Sequence, residues 1–125
     1  MNPLVSIIIP VYNTASYLPQ CIDSIQNQTY TNLDILIITE PCDDGSEEIC
    51  DNAAAEDARI RVFHKPSLSG VSRSRNIGLQ EAKGDFIMFA DSENYIAPQM
   101  MQRMIETQQK TSADVIMCGH RTMEK

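Results

Sequence analysis

The segment from residue 86 to residue 94 joins an apolar strand pattern to an acidic end, which makes it the best candidate for ligand chemistry in this sequence. Residues 86–90 are apolar and are followed at once by Asp91, Ser92, Glu93 and Asn94. Because α/β proteins bind ligands at the carboxyl ends of their strands, we expect the two carboxylates to face a binding site. Carboxylate, hydroxyl and amide oxygens are ligands that Mg²⁺ and Mn²⁺ prefer. An acidic turn in which Asp91 or Ser92 caps the next helix is the alternative, and this segment alone leaves both interpretations open.

Short apolar runs predict five strands that could position these residues. The first run is almost continuously apolar and β-branched, which is typical of a strand covered on both faces. Pro10 should end it, because proline lacks the backbone donor of the ladder. The third run alternates, which indicates a wetter face or an edge position. The predicted strands are 4–11, 34–38, 59–63, 85–90 and 114–118.

Apolar residues at helical spacing predict four helices between these strands. The first two are predicted to follow caps at Ser16 and Ser46, and the third, over 72–82, to be closed by Gly84. The fourth begins at Pro98, and its three methionines are expected to fill the core or an interface. This alternation predicts an α/β fold with three α/β/α layers, Rossmann-like with a mostly parallel sheet, in one domain over 1–125.

Composition limits the classes of partner. The chain has 125 residues, with 17 acids and 10 bases, for a formal net charge of −7. This charge disfavours non-specific binding to nucleic acid or to anionic membranes, although a local basic patch can still hold phosphates. No apolar stretch approaches the roughly 20 residues that span a bilayer, and no signal peptide is recognisable, so we expect a cytoplasmic protein. Its four cysteines form no CxxC pair, which gives no support to a zinc site or a redox dithiol.

The loops after parallel strands share one rim, and this rim would collect further candidate residues. Tyr12 offers a flat face for a base, and Glu40 offers an acceptor for an imide or amino group. Residues 69–70 and the start of the next helix offer backbone donors for phosphate. Arg73 and Arg75 add positive charge, but at this spacing only one can face the site. Together they are typical of a nucleotide-diphosphate site with a metal. Taken singly, Tyr12 could be an ordinary aromatic residue at a strand end and Glu40 a solvated loop acid.

Four blocks of the sequence resemble family 2 glycosyltransferases. They follow the expected order over most of the chain and read VSIIIPVYN (5–13), YLPQCIDSIQNQTY (17–30), GVSRSRNIGL (70–79) and AKGDFIMFADSE (82–93). The resemblance implies the GT-A fold and a nucleotide-diphosphate sugar as donor, often UDP-linked. It also implies a divalent cation, Mn²⁺ or Mg²⁺, and transfer with inversion at the anomeric carbon.

The resemblance assigns roles position by position. It implies that Tyr12 stacks on the base, that Glu40 stands where the family has its base-reading aspartate, and that Arg75 lies near the donor. Asp91 and Glu93 would stand at the family's Asp-x-Asp metal motif, with Glu93 as the principal ligand. The expected donor-binding set is Pro10, Tyr12, Asn13, Glu40, Ser69, Gly70, Arg75, Asp91 and Ser92.

Two positions depart from the family pattern. The usual Asp-Asp-Gly-Ser after the second strand is replaced in ungapped register by 39–42, Thr-Glu-Pro-Cys; a gapped alternative would place 43–46, Asp-Asp-Gly-Ser, on the motif. The ungapped register is preferred because 48–51 then fall in line. The metal motif ends in Glu93 rather than aspartate, which moves the oxygens by about a bond length. Errors near 1 Å can lower a rate by on the order of 10²-fold, so donor binding is expected to be weakened or retuned.

The resemblance covers the donor half of the family's enzymes and not the acceptor half, so no residue here is assigned as the catalytic base. We expect transfer to a glycan or lipid-linked acceptor only in a longer protein, in the cytoplasm or peripherally at the inner face of the membrane. A non-catalytic nucleotide-sugar-binding or assembly module with a degenerate site is the alternative. A half-domain also leaves one flank of its sheet uncovered, which predicts self-association, as in a homodimer, through that flank or the methionine-rich helix.

Overall fold

The computed structural model of this protein describes residues 3–93 and 95–111, in which strands and helices alternate. The strands are β1 (Val5–Val11), β2 (Leu33–Thr39), β3 (Ile60–His64) and β4 (Phe86–Phe89). The helices are α1 (Leu18–Gln26), α2 (Ser46–Glu56), α3 (Val71–Glu81) and α4 (Met100–Thr111). The predicted strand at 114–118 lies outside the described residues. Every other predicted element is present, with its ends shifted by a few residues.

The four strands form one parallel sheet in the order β3-β2-β1-β4. In register, Ile7 of β1 lies opposite Ile35 of β2 on one side and Met88 of β4 on the other. The alternating strand β3 lies at one end of this order, as its sequence pattern indicated. Because all the strands run in the same direction, their carboxyl ends lie along a single edge of the sheet.

Helices cover both faces of the sheet. One large apolar cluster joins alternate residues of β1 and β2 to α1, α2 and α4, including Met101 of the methionine-rich helix. A smaller cluster on the opposite face joins Ile8, Leu36 and Ile38 to Ile77 of α3. Each fully buried isoleucine stabilises the fold by about 1.5–3 kcal/mol. The predicted three-layer α/β architecture is therefore confirmed.

Pro10 does not end β1, contrary to the prediction. The strand continues to Val11, and Pro10 lies opposite Ile38 of β2. Carbonyls of β1 bond alternately to its two neighbours, since Ile8 accepts from the Ala90 amide and Val11 accepts from the Glu40 amide. By this alternation Pro10 faces the β4 side, beyond the last β4 pairing at Ile8. Its missing N–H therefore removes no hydrogen bond from the ladder.

The predicted helix ends also needed correction. No side chain caps α1; the carbonyl of Thr14 accepts the amides that precede and open the helix, and Ser16 plays no such part. Ser46 is the first residue of α2 rather than its cap, and its amide donates to the carboxylate of Asp44. Gly84 does not close α3, which ends at Glu81. Instead, a Cβ on Gly84 would lie 2.6 Å from the backbone nitrogen of Ser6, so glycine is needed for the close approach to β1.

Among the described residues, no helix combines the length and apolar character that crossing a membrane requires.

Candidate functional site

The loops that follow β1, β2 and β4 are joined by hydrogen bonds at the carboxyl edge of the sheet. The hydroxyl of Thr14 donates to the hydroxyl of Ser92 at 3.0 Å, which ties the β1 loop to the β4 loop. The amide of Thr14 donates to Ser46 Oγ at 3.2 Å, and the amide of Ala15 donates to Asp44 at 3.1 Å. Three segments that are distant in sequence therefore form one rim.

Tyr12 stands at this rim directly after β1, and 47% of its surface is exposed. Asn13 follows with φ of 50°, in the left-handed region that asparagine tolerates better than most residues. Its amide donates to Cys42 Sγ at 3.4 Å, which fixes the turn against the β2 loop. The turn directs the chain away from the sheet and leaves the Tyr12 ring accessible to a planar ligand. Pro10, also in the predicted donor set, lies within β1 two residues earlier.

Glu40 joins the β2 loop to the β3 loop. Its backbone amide extends the sheet by donating to Val11, so the residue is held like a strand position. Its side chain is 10% exposed, and Oε1 lies 2.5 Å from Nζ of Lys65. The amides of Ser69 and Gly70 also donate to Oε1, at 2.8 and 2.7 Å. Both amides, which the sequence interpretation assigned to phosphate, therefore hold a carboxylate of the protein itself.

These contacts determine the ionisation of Glu40. The hydrogen bond from Lys65 and the amides of Ser69 and Gly70 outweigh the opposing effect of burial and hold the pKa of the Glu40 carboxyl below its ordinary value. The side chain is therefore a carboxylate at neutral pH, able to accept hydrogen bonds and unable to donate them.

Arg75 lies on α3 and is exposed. Its guanidinium carbon lies 5.6 Å from the ring centroid of Phe89, the last residue of β4. This cation–π contact holds the positive charge over the carboxyl end of β4, two residues before Asp91.

The β4 loop presents two exposed carboxylates on either side of a buried serine. Ser92 is 3% exposed and is anchored by Thr14, whereas Asp91 and Glu93 are exposed. The amide of Glu93 donates to Oδ1 of Asp91 at 3.3 Å, so the two acids belong to one tight turn.

The carboxylate oxygens of this turn suit a cation that also binds a phosphate group of a ligand. Within the described residues, no group of three or more His, Cys, Asp or Glu side chains could enclose a metal. Mg²⁺, however, is usually held by one or two carboxylates together with substrate phosphates and water. The nearby thiol of Cys21 is buried, and burial, with a contribution from Asp91, raises its pKa to about 12. Asp91 and Glu93 therefore fit a cation that arrives with a diphosphate.

Sequence reasoning missed several residues that build this rim. Lys65, directly after β3, had been given no role in the predicted site, and neither had Thr14 or Ser46. The position of Lys65 at a strand end was the available signal, but its pairing with Glu40 depends on the β2–β3 register, which the sequence does not specify.

The fold and the rim define an α/β protein with a ligand site at the carboxyl edge of a parallel sheet. Residues 6–123 match the family described as glycosyl transferase family 2. Because the match covers nearly the whole chain, this protein belongs to glycosyl transferase family 2.

Relatives of known sequence agree with this assignment. An uncharacterized glycosyltransferase of Bacillus subtilis (strain 168), EpsJ, is 40% identical over 119 residues, which cover 95% of this chain and 34% of EpsJ. An uncharacterized glycosyltransferase of Haemophilus influenzae is 42% identical over 103 residues, which cover 82% of this chain and 41% of that protein. The chain thus spans roughly a third to two fifths of the length of these relatives.

Solved structures support the fold. TarS of S. aureus in complex with UDP-GlcNAc matches with a TM-score of 0.82 and 22% identity, covering 88% of this chain and 32% of that one. A mannosyltransferase from Pyrobaculum calidifontis in complex with GDP-Man and Mn²⁺ matches with a TM-score of 0.79 and 19% identity, covering 86% and 33%. At these identities the likeness shows a shared fold, the GT-A fold of glycosyltransferases.

Proposed function

We propose that this chain is the donor-binding part of a glycosyltransferase that transfers a sugar from a UDP-linked donor to a glycan or other hydroxyl acceptor. One observation carries the proposal: hydrogen bonds join the loops that bear Tyr12, Glu40 and the pair Asp91 and Glu93 along one edge. A flat aromatic face, an acceptor and two metal-binding carboxylates then match the base and the diphosphate of such a donor.

Each residue in the proposal has a distinct task. The ring of Tyr12 stacks on the base, and Glu40 accepts a hydrogen bond from it. Arg75 contributes positive charge near the phosphates. We assign Ser69 and Gly70 to holding Glu40 rather than to phosphate, because their amides donate to its carboxylate. Pro10, Asn13 and Ser92 shape the turns that carry these side chains.

Asp91 and Glu93 would hold Mn²⁺ or Mg²⁺, with Glu93 as the principal ligand. The cation, when bound, stabilises the negative charge of the departing diphosphate. Transfer with inversion also requires a base to deprotonate the acceptor hydroxyl. We propose that a further part of a longer protein supplies this base and the acceptor site, since the chain spans only 34% of EpsJ. We propose a cytoplasmic location, at the inner face of the membrane if the acceptor is lipid-linked.

Calorimetry with UDP and Mn²⁺ tests the donor site directly. We expect binding that weakens when Mn²⁺ is withheld, and a Glu93→Ala variant that has lost this dependence on the metal. Lys83→Met, at the opposite edge of the sheet, is the matched control and should bind as the unchanged chain does. An absence of heat at millimolar UDP with Mn²⁺ would contradict the proposal.

The two departures from the family pattern leave a second candidate, a binding or assembly module with a degenerate site. The observation that favours it is the engagement of Glu40 by Lys65 and two amides within the protein. A double variant, Glu40→Asp with Glu93→Asp, separates the candidates. Binding in the unchanged chain supports a working donor site, and binding in the double variant alone supports the degenerate module.

A further inference from the structure

Lys65 is an almost fully buried cation whose donors are all used inside the protein. Its side chain is 4% exposed. Besides contacting Glu40, its ammonium donates to the carbonyl of Gly70 at 3.1 Å and to the hydroxyl of Ser74 at 2.8 Å. An ammonium group has three donors, and these three acceptors account for all of them. Lys65 therefore has no donor left for a ligand and can act on one only through Glu40.

The two carboxylate oxygens of Glu40 differ sharply in their surroundings. Oε1 accepts hydrogen bonds from the ammonium of Lys65 and from the amides of Ser69 and Gly70. Among the described residues, no hydrogen bond reaches Oε2. No side-chain oxygen in that part of the chain is both fully buried and unpartnered, so Oε2 retains contact with solvent. One oxygen is thus anchored, and the other is available at the rim.

We propose that Lys65 is a positioning residue: with the two amides it anchors Oε1 of Glu40 so that Oε2 alone meets the base of the donor and selects a base with an N–H at that point. Uracil offers such an N–H at N3, whereas cytosine presents a lone pair at the same ring position. This inference rests on the proposed donor site, and it adds the element that sets the choice of base.

The anchoring is strong because it combines charge and burial. Hydrogen bonds to a charged partner are about twice as strong as those between neutral groups. Removing one member of a buried charge pair leaves the other uncompensated, so Glu40 would turn or take up a proton without Lys65. The lowered pKa of Glu40 agrees with a carboxylate that stays ionised and can accept a further hydrogen bond at Oε2.

A Glu40→Gln variant gives the sharpest test, because it replaces one carboxylate oxygen by an NH₂ group while the three donors to Oε1 remain, although Lys65 then loses the negative charge that balances it. Three donors converge on the Oε1 position, so the amide oxygen of glutamine must occupy it, and the NH₂ group must take the place of Oε2. A donor then stands where an acceptor stood. We expect calorimetry with Mn²⁺ to show UDP bound about 10- to 100-fold more tightly than CDP by the unchanged chain. The preference should reverse in Glu40→Gln.

Lys65→Met tests the anchor itself. We expect its preference for UDP over CDP to fall to about threefold or less, while Lys83→Met keeps the full preference. Circular dichroism establishes that each variant folds. If Lys65→Met does not fold, two other measurements test the proposal. The base preference should reverse in Glu40→Gln, and the unchanged chain should not bind N3-methyl-UDP.

The outcomes separate the two proposals. No binding of any nucleoside diphosphate by the unchanged chain would end the donor-site proposal. Binding without a UDP preference, a preference kept in Lys65→Met, or an equal loss of UDP and CDP in Glu40→Gln would overturn the role of Lys65 and leave the donor site standing.

Discussion

Asp34 illustrates how a single charged residue can be stable inside this sheet. It lies on β2 and is 8% exposed. Its carboxylate accepts hydrogen bonds from the guanidinium of Arg61 at 2.9 Å, the hydroxyl of Ser6 at 2.7 Å and the amide of Lys83 at 3.0 Å. Burial alone would raise the pKa of Asp34, but the hydrogen bonds from Lys83, Ser6 and Arg61 together hold it below its ordinary value. The residue joins β1, β2, β3 and the turn before β4.

An Asp34→Asn variant should therefore lose stability in a pH-dependent way. At neutral pH we expect the free energy of unfolding to fall by about 1–3 kcal/mol, because buried donors lose their charged acceptor. Since the folded pKa is lowered, the contribution of Asp34 is complete above the unfolded pKa and is lost as pH falls through the folded pKa. Urea unfolding from neutral pH to about pH 2 should show the two proteins converging. Asp43→Asn, at an exposed loop position, is the control; a gap that stays constant with pH would refute the argument.

Tyr12 does not contribute comparably to the stability of the fold, because nearly half of its surface is exposed. A Tyr12→Ala variant should fold normally and bind UDP about 5- to 100-fold more weakly, since base–aromatic stacking contributes about 1–3 kcal/mol per base. Tyr12→Phe keeps the ring and should bind nearly as the unchanged chain does. Equal binding by Tyr12→Ala in calorimetry would remove this residue from the donor site.

At the scale of elements, α3 approaches the sheet closely because one of its residues lacks a side chain. A Cβ on Gly78 would lie 2.5 Å from Cγ2 of Ile8, whose side chain is fully buried in β1. The start of α3 carries Gly70, and its next turn carries Ser74, which binds Lys65. The packing at Gly78 therefore helps to fix the loop that anchors Glu40.

Gly78→Ala should destabilise the protein by about 1–3 kcal/mol through overpacking. The sign is informative, because at an exposed helix position the same change would stabilise by about 1 kcal/mol. Asn76→Ala, on an exposed position of the same helix, is the control. Ile8→Ala removes all three Ile8 atoms that the new Cβ would meet, so it should cost less in the Gly78→Ala background than in the unchanged chain. Higher thermal stability in Gly78→Ala would contradict this prediction, since it would show that α3 can move away from the sheet without loss of stability.

The sequence specified elements better than it specified their contacts. Apolar runs located β1 and β2, because a strand covered on both faces must be apolar almost throughout. The apolar run of β4 located that strand too, although Ile87 and Phe89 are exposed on one of its faces. The continuation of β1 through Pro10 was not predictable, since it depends on where the pairing with β4 stops. Likewise, Glu40 could be placed at the rim, but its pairing with Lys65, 25 positions later, requires the β2–β3 register.

At the scale of the whole molecule, β4 is the least covered of the described strands. It lies at one end of the described sheet order. Phe86 and Met88 pack against the large cluster, whereas Ile87 and Phe89 are 43% and 45% exposed on the other face. Among the described helices, α3 lies over β1 and β2 on that face, and its Arg75 reaches Phe89 at the end of β4. An exposed apolar surface on a strand at the end of the described sheet is characteristic of an interaction site.

We predict that the chain self-associates through this flank rather than through α4, because Met101 of α4 is 2% exposed and belongs to the core. Analytical ultracentrifugation at increasing concentration should show dimers. Ile87→Lys should shift the equilibrium towards monomer, because a lysine ammonium cannot be buried there without a partner. Lys110→Ala, on the exposed end of α4, should leave the equilibrium unchanged. A protein that stays monomeric at the highest concentration would contradict the prediction, and dimers unaffected by Ile87→Lys would move the interface away from β4.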